Sequence, residues 1–160
     1  MLQTVHESIA PTAMLREFTI QTHKHRDFVD VTPHVQAIVG AAMVRDGICL
    51  VFSPHTTAGI TLNENADPDV VSDLLGAYAD LLGDERRFDH AEGNSGGHAL
   101  TSLVGASVGV PVQAGALALG RWQAVYLCEF DGPRLRTVQV QVIGERTHAQ
   151  PATGSLGGPP

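Results

Sequence analysis

Side chains able to do chemistry concentrate in two short segments, SPHTTAGITLNENADPD (53–69) and FDHAEGNSGGHALTS (88–102). The first carries His55, Thr56 and Thr57, then Asn63, Glu64 and Asn65. The second carries His90, Glu92, Asn94 and His98 among glycines. Imidazoles gathered with a carboxylate suit a divalent ion such as zinc, and the glycines would let backbone bend around an ion or a phosphate. The spacing is not that of a known zinc motif. His55 could be a metal ligand, a general acid or base, or a loop histidine satisfied by backbone groups. Asn63, Glu64 and Asn65 alternate sides if they lie on a strand, so all three cannot face one site. Two of them can, and turn and helix-entry chemistry is the alternative reading of that run.

Gly120-Arg121-Trp122-Gln123 holds the single tryptophan and joins two predicted strands. It reads either as a packed aromatic at a strand start or as an aromatic and amide wall for a flat ligand, with Arg121 available to a phosphate. The chain has no Walker loop, no GxGxxG after a strand and no GxSxG, so covalent catalysis from a nucleophile elbow is not expected. His23, His25, His34, His6 and His148 fall at turns, a helix start and the two ends, and read as structural or solvated. Cys49 and Cys128 lie in apolar strand-like runs and read as buried small hydrophobes in a reducing compartment.

These segments need a scaffold, and the hydrophobic pattern supplies one. Leu15–Thr22 and Asp27–Val31 alternate around a THKHR turn and predict a strand pair. Thr32 as N-cap and Pro33 in the first turn open a helix over about 33–45, with Val35, Ile38, Val39, Ala42 and Met43 on one face. GICLVFS (47–53) reads as a central strand covered on both faces, and AGITLNE (58–64) as a further strand. Asp67 caps a second helix that Gly83-Asp84 ends, and residues 84–97 form a long polar loop before a short helix near 98–106. The final third reads as successive strands in an antiparallel meander.

The bulk properties agree. One hundred and sixty residues with 43% hydrophobic and 17% charged side chains make one ordinary folded domain. The net charge of −7 disfavours nucleic acid and anionic membrane surfaces as partners. The absence of a spanning apolar stretch and of a secretory signal leads us to expect a cytoplasmic protein. Residues 1–13 read as an extension ahead of Met14, 14–146 as the domain, and 147–160, rich in Pro, Gly, Ser and Thr, as a flexible tail.

The same blocks resemble the YjbQ family. His55-Thr56-Thr57-Ala58 with Leu62-Asn63-Glu64-Asn65 and Asp67-Pro68, the loop His90-Ala91-Glu92-Gly93-Asn94 with His98, Pro111-Val112, Gly120-x-Trp122-Gln123, and Glu129-Phe130-Asp131-Gly132-Pro133-Arg134 all look like its motifs. The similarity spans about 15–146. It implies a compact α/β domain of the α+β type, mostly antiparallel sheet packed with helices, assembled as a homotrimer. It also implies a thiamine phosphate synthase-like activity on a small-molecule substrate, joining a pyrimidine pyrophosphate to a thiazole phosphate with loss of pyrophosphate. On that reading His55, Glu64, His90 and His98 are catalytic candidates, and His55, His90, His98 and Glu92 would ligate a divalent ion, zinc or magnesium. Thr56, Thr57, Asn63, Asn65, Asn94, Arg121, Trp122 and Gln123 would contact substrate. Leu100 stands where the family pattern usually has lysine, Ala116 where it has arginine, and Arg121 where it has threonine. Two cations are thereby lost from a phosphate-handling protein. A metal-dependent hydrolase of a small ester or phosphate and a non-catalytic trimeric ligand-binding protein are the competing readings.

Overall fold

The structure, a computed structural model, describes residues 12–82 and 88–146. It is a mixed α+β domain with antiparallel sheets and three helices. Eleven elements follow in order: β1 (Thr12–Gln21), β2 (Asp27–Asp30), α1 (Thr32–Ala42), β3 (Val44–Phe52), β4 (Ala58–Glu64), α2 (Pro68–Leu82), α3 (Ser95–Val104), β5 (Ser107–Gln113), β6 (Ala116–Leu117), β7 (Gln123–Glu129) and β8 (Leu135–Arg146). They make a five-stranded sheet in the order β1-β8-β3-β5-β6 and a three-stranded sheet in the order β2-β7-β4.

The topology corrects two expectations. β1 and β2 are not a pair: β1 lies on β8 and β2 on β7, in different sheets. The last third is not a meander either, because β7 crosses to the small sheet while β8 returns to run between β1 and β3. In both cases the apolar faces find deeper burial against distant strands than against the sequence neighbour.

β7 shows why. Val125 and Leu127 join α1 and the inner face of the large sheet in one core, with Val35, Val39, Val51, Val138 and Val140. Ala124, Tyr126 and Cys128, on the opposite side of the same strand, join Phe28, Leu100 and Phe130 under α2 and α3. The small sheet is therefore the middle layer. β3 is central as predicted, yet only one of its faces is covered within the chain: Ile48, Leu50 and Phe52 remain 49%, 42% and 36% exposed.

Helix boundaries move for local reasons. α1 stops at Ala42 because Met43 takes a left-handed conformation, φ 54°, and β3 begins at Val44. Thr32 does not cap it; its hydroxyl accepts from Val125 N at 2.8 Å and ties α1 to β7. Asp67 does cap α2, accepting from Asp69 N at 2.9 Å. α3 starts at Ser95, three residues early, with Gly96 and Gly97 inside its first turn. A Cβ at Gly97 would sit 3.0 Å from Phe130 O and 3.3 Å from the Thr57 side chain, so glycine lets α3 lie against the β4 and β7 ends.

Cys49 and Cys128 are buried and free, as expected, and burial pushes the Cys49 thiol up to about 11 and Cys128 higher still. Thr12 and Ala13 belong to β1, not to an extension. Residues 1–11, the Gly83-Asp84 helix stop and the 147–160 tail lie outside the described residues. Among the described residues, no helix is long and apolar enough to cross a membrane.

Candidate functional site

Alternation along β8 puts Arg136 on the same inward face as Val138, Val140 and Val142, and that along β7 puts Glu129 on the face of Val125 and Leu127. The two charges therefore meet between the sheets. Arg136 Nε donates to Glu129 Oε2 at 2.8 Å, and Nη2 donates to Oε1. Nη2 also reaches Thr57 Oγ1 at 3.0 Å. The Thr22 hydroxyl donates to Glu129 Oε2 at 2.9 Å and accepts from Arg134 N at 2.8 Å. Burial by itself would raise the Glu129 carboxyl; the hydrogen bonds from Arg136, Asp131 N–H and Thr22 outweigh it and hold the group below its ordinary range.

Arg136 of this pair reaches the floor of an open cavity of about 320 Å³. Pro54, His55, Thr56 and Thr57 form one wall, Glu92, Asn94 and His98 a second, and Arg134 and Arg136 a third. Arg134 is aimed by Asp131, whose carboxylate accepts from its Nη2 at 2.8 Å and whose carbonyl accepts from its Nε at 2.7 Å. The same Asp131 Oδ2 accepts from Asn94 Nδ2 at 2.9 Å. Burial works to raise the Asp131 carboxyl, and the Asn94 and Arg134 hydrogen bonds bring it below its usual value.

His55 Nε2 accepts the backbone N–H of Thr137 at 2.9 Å. The neutral ring then carries its hydrogen on Nδ1, a donor and not a lone pair. Burial, and next the Arg136 charge, push its pKa below 6.5, which keeps the ring neutral near pH 7. A neutral N–H donor is poorly placed to ligate a metal or to take a proton. The reading of His55 as a loop histidine satisfied by backbone therefore describes its Nε2.

The other candidates divide between two places. His90 stands edge-on to His98, ring centres 5.3 Å apart, with its Nε2 3.8 Å from Glu92. Among the described residues no three His, Cys, Asp or Glu side chains are grouped to hold a metal ion. Asn63, Glu64 and Asn65 sit at the far end of β4, where Glu64 is paired with Gln123, roughly 20 Å from Ala58 at the strand rise of about 3.3 Å per residue. There Asn65 donates to Asp30 at 2.9 Å and accepts from Tyr126 Oη at 2.6 Å, and Asn63 accepts from Glu64 N at 2.7 Å. Gln123 accepts from Gly120 N at 2.8 Å, and Arg121 lies 4.6 Å over the Trp122 ring, which is 55% exposed. Within one chain, none of these six lines the cavity.

Sequence reasoning places Glu129, Asp131 and Arg134 in the EFDGPR block without a site role, and misses Arg136 and Thr22. The signal was present: in LRTVQVQV the arginine keeps step with three core valines, and a charge at such a position must be paired.

The family model described as UPF0047 protein YjbQ-like matches residues 16–145. The chain belongs to the YjbQ family. Within that family, UPF0047 protein YugU of Bacillus subtilis is 46% identical over 132 residues, covering 82% of this chain and 100% of the relative. A UPF0047 protein of Methanocaldococcus jannaschii is 43% identical, covering 83% and 96%. A crystal structure described as a YbjQ-like protein of unknown function from Sulfolobus solfataricus is 31% identical and matches with a TM-score of 0.81 over 85% of this chain and 100% of its own. The YjbQ motif residues are thus split here: the His-Thr-Thr block, the glycine-rich loop and the EFDGPR block surround the cavity, whereas the Asn-Glu-Asn and GRWQ blocks stand at the opposite end of the small sheet.

Proposed function

We propose that this YjbQ-family protein is an enzyme acting on a phosphate-bearing small molecule in the cavity between His55 and Arg136, with a thiamine phosphate synthase-like transfer as its reaction. The observation that carries this reading is the pair of guanidinium groups, Arg134 and Arg136, each pinned by a carboxylate and both lining one cavity with an N–H donor at His55. Preorganised donors of this kind suit an oxyanion whose charge grows as it leaves. In the transfer, a nitrogen–carbon bond forms between thiazole and pyrimidine, the carbon–oxygen bond to pyrophosphate breaks, and the departing oxyanion needs that positive charge.

The substitutions at Leu100 and Ala116 weigh less against this reading than their charge alone suggests. Leu100 is fully buried in the core beneath α2 and α3, and neither position lines the cavity. The arginines of β8 and its approach supply cations in their stead. No step is assigned to the divalent ion expected from the histidines, because the donors of His55, His90, His98 and Glu92 are not grouped around one point.

The homotrimer is part of the same proposal. Its support is the outer face of the large sheet, where Leu15, Ile48, Leu50, Phe52 and Ile143 stay exposed around Gln139 and Gln141.

Incubation with pyrimidine pyrophosphate and thiazole phosphate, followed by product analysis, tests the reaction. Thiamine phosphate and pyrophosphate in equal amounts, lost in Arg136→Met, are expected. Consumption of one substrate alone would indicate a hydrolase, and binding without turnover would indicate a ligand-binding protein.

A further inference from the structure

We propose that Asp131 is the positioning residue of this cavity: it aims Arg134, steadies Arg136 through Glu129, and draws Asn94 away from the end of α3, so that a bound oxyanion takes the place of the helix cap. The inference rests on the reading of the cavity as a phosphate site.

Asp131 holds Arg134 directly and reaches Arg136 through Glu129. Its carboxylate holds Arg134 Nη2 at 2.8 Å and its carbonyl holds Arg134 Nε at 2.7 Å. Its own N–H donates to Glu129 Oε1 at 2.8 Å, and Glu129 is the carboxylate that binds Arg136. Arg136 is only 6% exposed, and with Nε and Nη2 committed to Glu129 and Thr57 its Nη1 is the nitrogen left with donors to spare.

Asn94 supplies the third contact. It occupies the N-cap of α3, and asparagine is among the best capping residues, its side-chain oxygen normally accepting from the second or third helical N–H. Here it makes no side-chain cap. Nδ2 is held by Asp131 at 2.9 Å, and Oδ1 is buried without a partner. The N–H groups of Ser95 and Gly96 find no acceptor among the described residues, and that of Gly96 is one the cap would have served. Unsatisfied first-turn N–H groups favour an anion in both charge and direction, and Asn94 and His98 of this turn line the same cavity as the two arginines. A chain that spends its best cap on an aspartate, and leaves a carbonyl oxygen buried and unpaired in doing so, has kept the helix end free for a ligand.

Inorganic phosphate is the probe, titrated calorimetrically into the full chain, with amide hydrogen exchange of Gly96 read in the phosphate-free protein. Asp131→Ala releases Asn94 to cap α3 and releases Arg134; phosphate binding is expected to weaken by about tenfold or more, and Gly96 exchange to slow by about as much. Asp131→Asn keeps an acceptor for both partners and should restore most of the binding. Asn94→Asp, which cannot donate to Asp131, should turn onto α3, slow Gly96 exchange and lose phosphate without a lower melting temperature, a readout that survives if the alanine variant fails to fold. Wild-type affinity in Asp131→Ala, or unchanged Gly96 exchange in both variants, overturns the positioning role while leaving the cavity reading in place. Absence of phosphate binding by the wild type overturns the cavity reading and the positioning role together.

Discussion

Arg136 and Glu129 form a two-point ion pair between the sheets, with Nε on one carboxylate oxygen and Nη2 on the other, in surroundings that leave the glutamate fully buried. A pair of this kind is not a large source of stability in itself, since both ions have lost water. Its significance is geometric. It fixes the guanidinium of β8 against the end of β7, where it lines the cavity.

Removing one partner leaves a buried charge uncompensated. Arg136→Met or Glu129→Gln alone should destabilise the fold by about 3–5 kcal/mol, seen as a lower urea midpoint with little change in slope. The double variant Arg136→Met with Glu129→Leu should recover much of that loss while still lacking phosphate binding. Recovery of both together would contradict the assignment of Arg136 to the site.

Acid should act on His55 first and Glu129 later. The His55 pKa is lower folded than its ordinary 6.5, so folding favours the neutral ring; that contribution is present above pH 6.5 and is lost as pH falls through the folded value. The Glu129 pKa is lower than its ordinary 4.5, so its contribution is present above that pH and disappears further down. Unfolding free energy measured at pH 7 and pH 5.5 should fall in the wild type and fall less in His55→Gln. Nitrogen chemical shifts of the His55 ring at pH 7 should report hydrogen on Nδ1.

Gly97→Ala should both destabilise the protein and disturb the cavity. The added methyl meets Phe130 O and the Thr57 side chain at 3.0 and 3.3 Å, so α3 must lift from the sheet at a cost of about 1–3 kcal/mol. Gly76→Ala, in α2, has nothing within 4 Å and should be neutral or mildly stabilising. Thermal melts of the two variants separate packing from helix propensity.

Leu50→Glu should shift the protein toward monomer in sedimentation without unfolding it, because Leu50 sits in the centre of the uncovered sheet face between Gln141 and Gly109. A wild type that sediments as a monomer at micromolar concentration would remove the support for the trimer.

Most of the elements could be read from the chain because they obey short-range rules: Asp67 before the α2 stripe, Pro33 at the start of α1, strict alternation in β8. What could not be read was which strands meet. Pairing follows from where the remaining apolar surface can be buried, and for β1 and β2 that lay more than a hundred residues away, on β8, and about as far on β7. The site shared this fate. Thr57 and Asn63 are six positions apart in one motif, yet an extended strand carries them to opposite ends of a sheet, whereas Thr57 and Arg136 are 79 positions apart and hydrogen-bonded. Density of motif residues along the chain was a poor guide to nearness in space. The inward phase of Arg136 among valines was a better one.

The place of β8 also bears on how the protein is made. Residues 135–146 lie between β1 and β3, so until they leave the ribosome the large sheet is two separate pieces, each with a bare hydrogen-bonding edge facing the other. Arg136 rides on that strand, and the cavity has no floor before it arrives. A nascent chain shorter than this leaves the facing edges of β1 and β3 unpaired, which makes the interval before β8 inserts the period in which edge-to-edge association is most favoured.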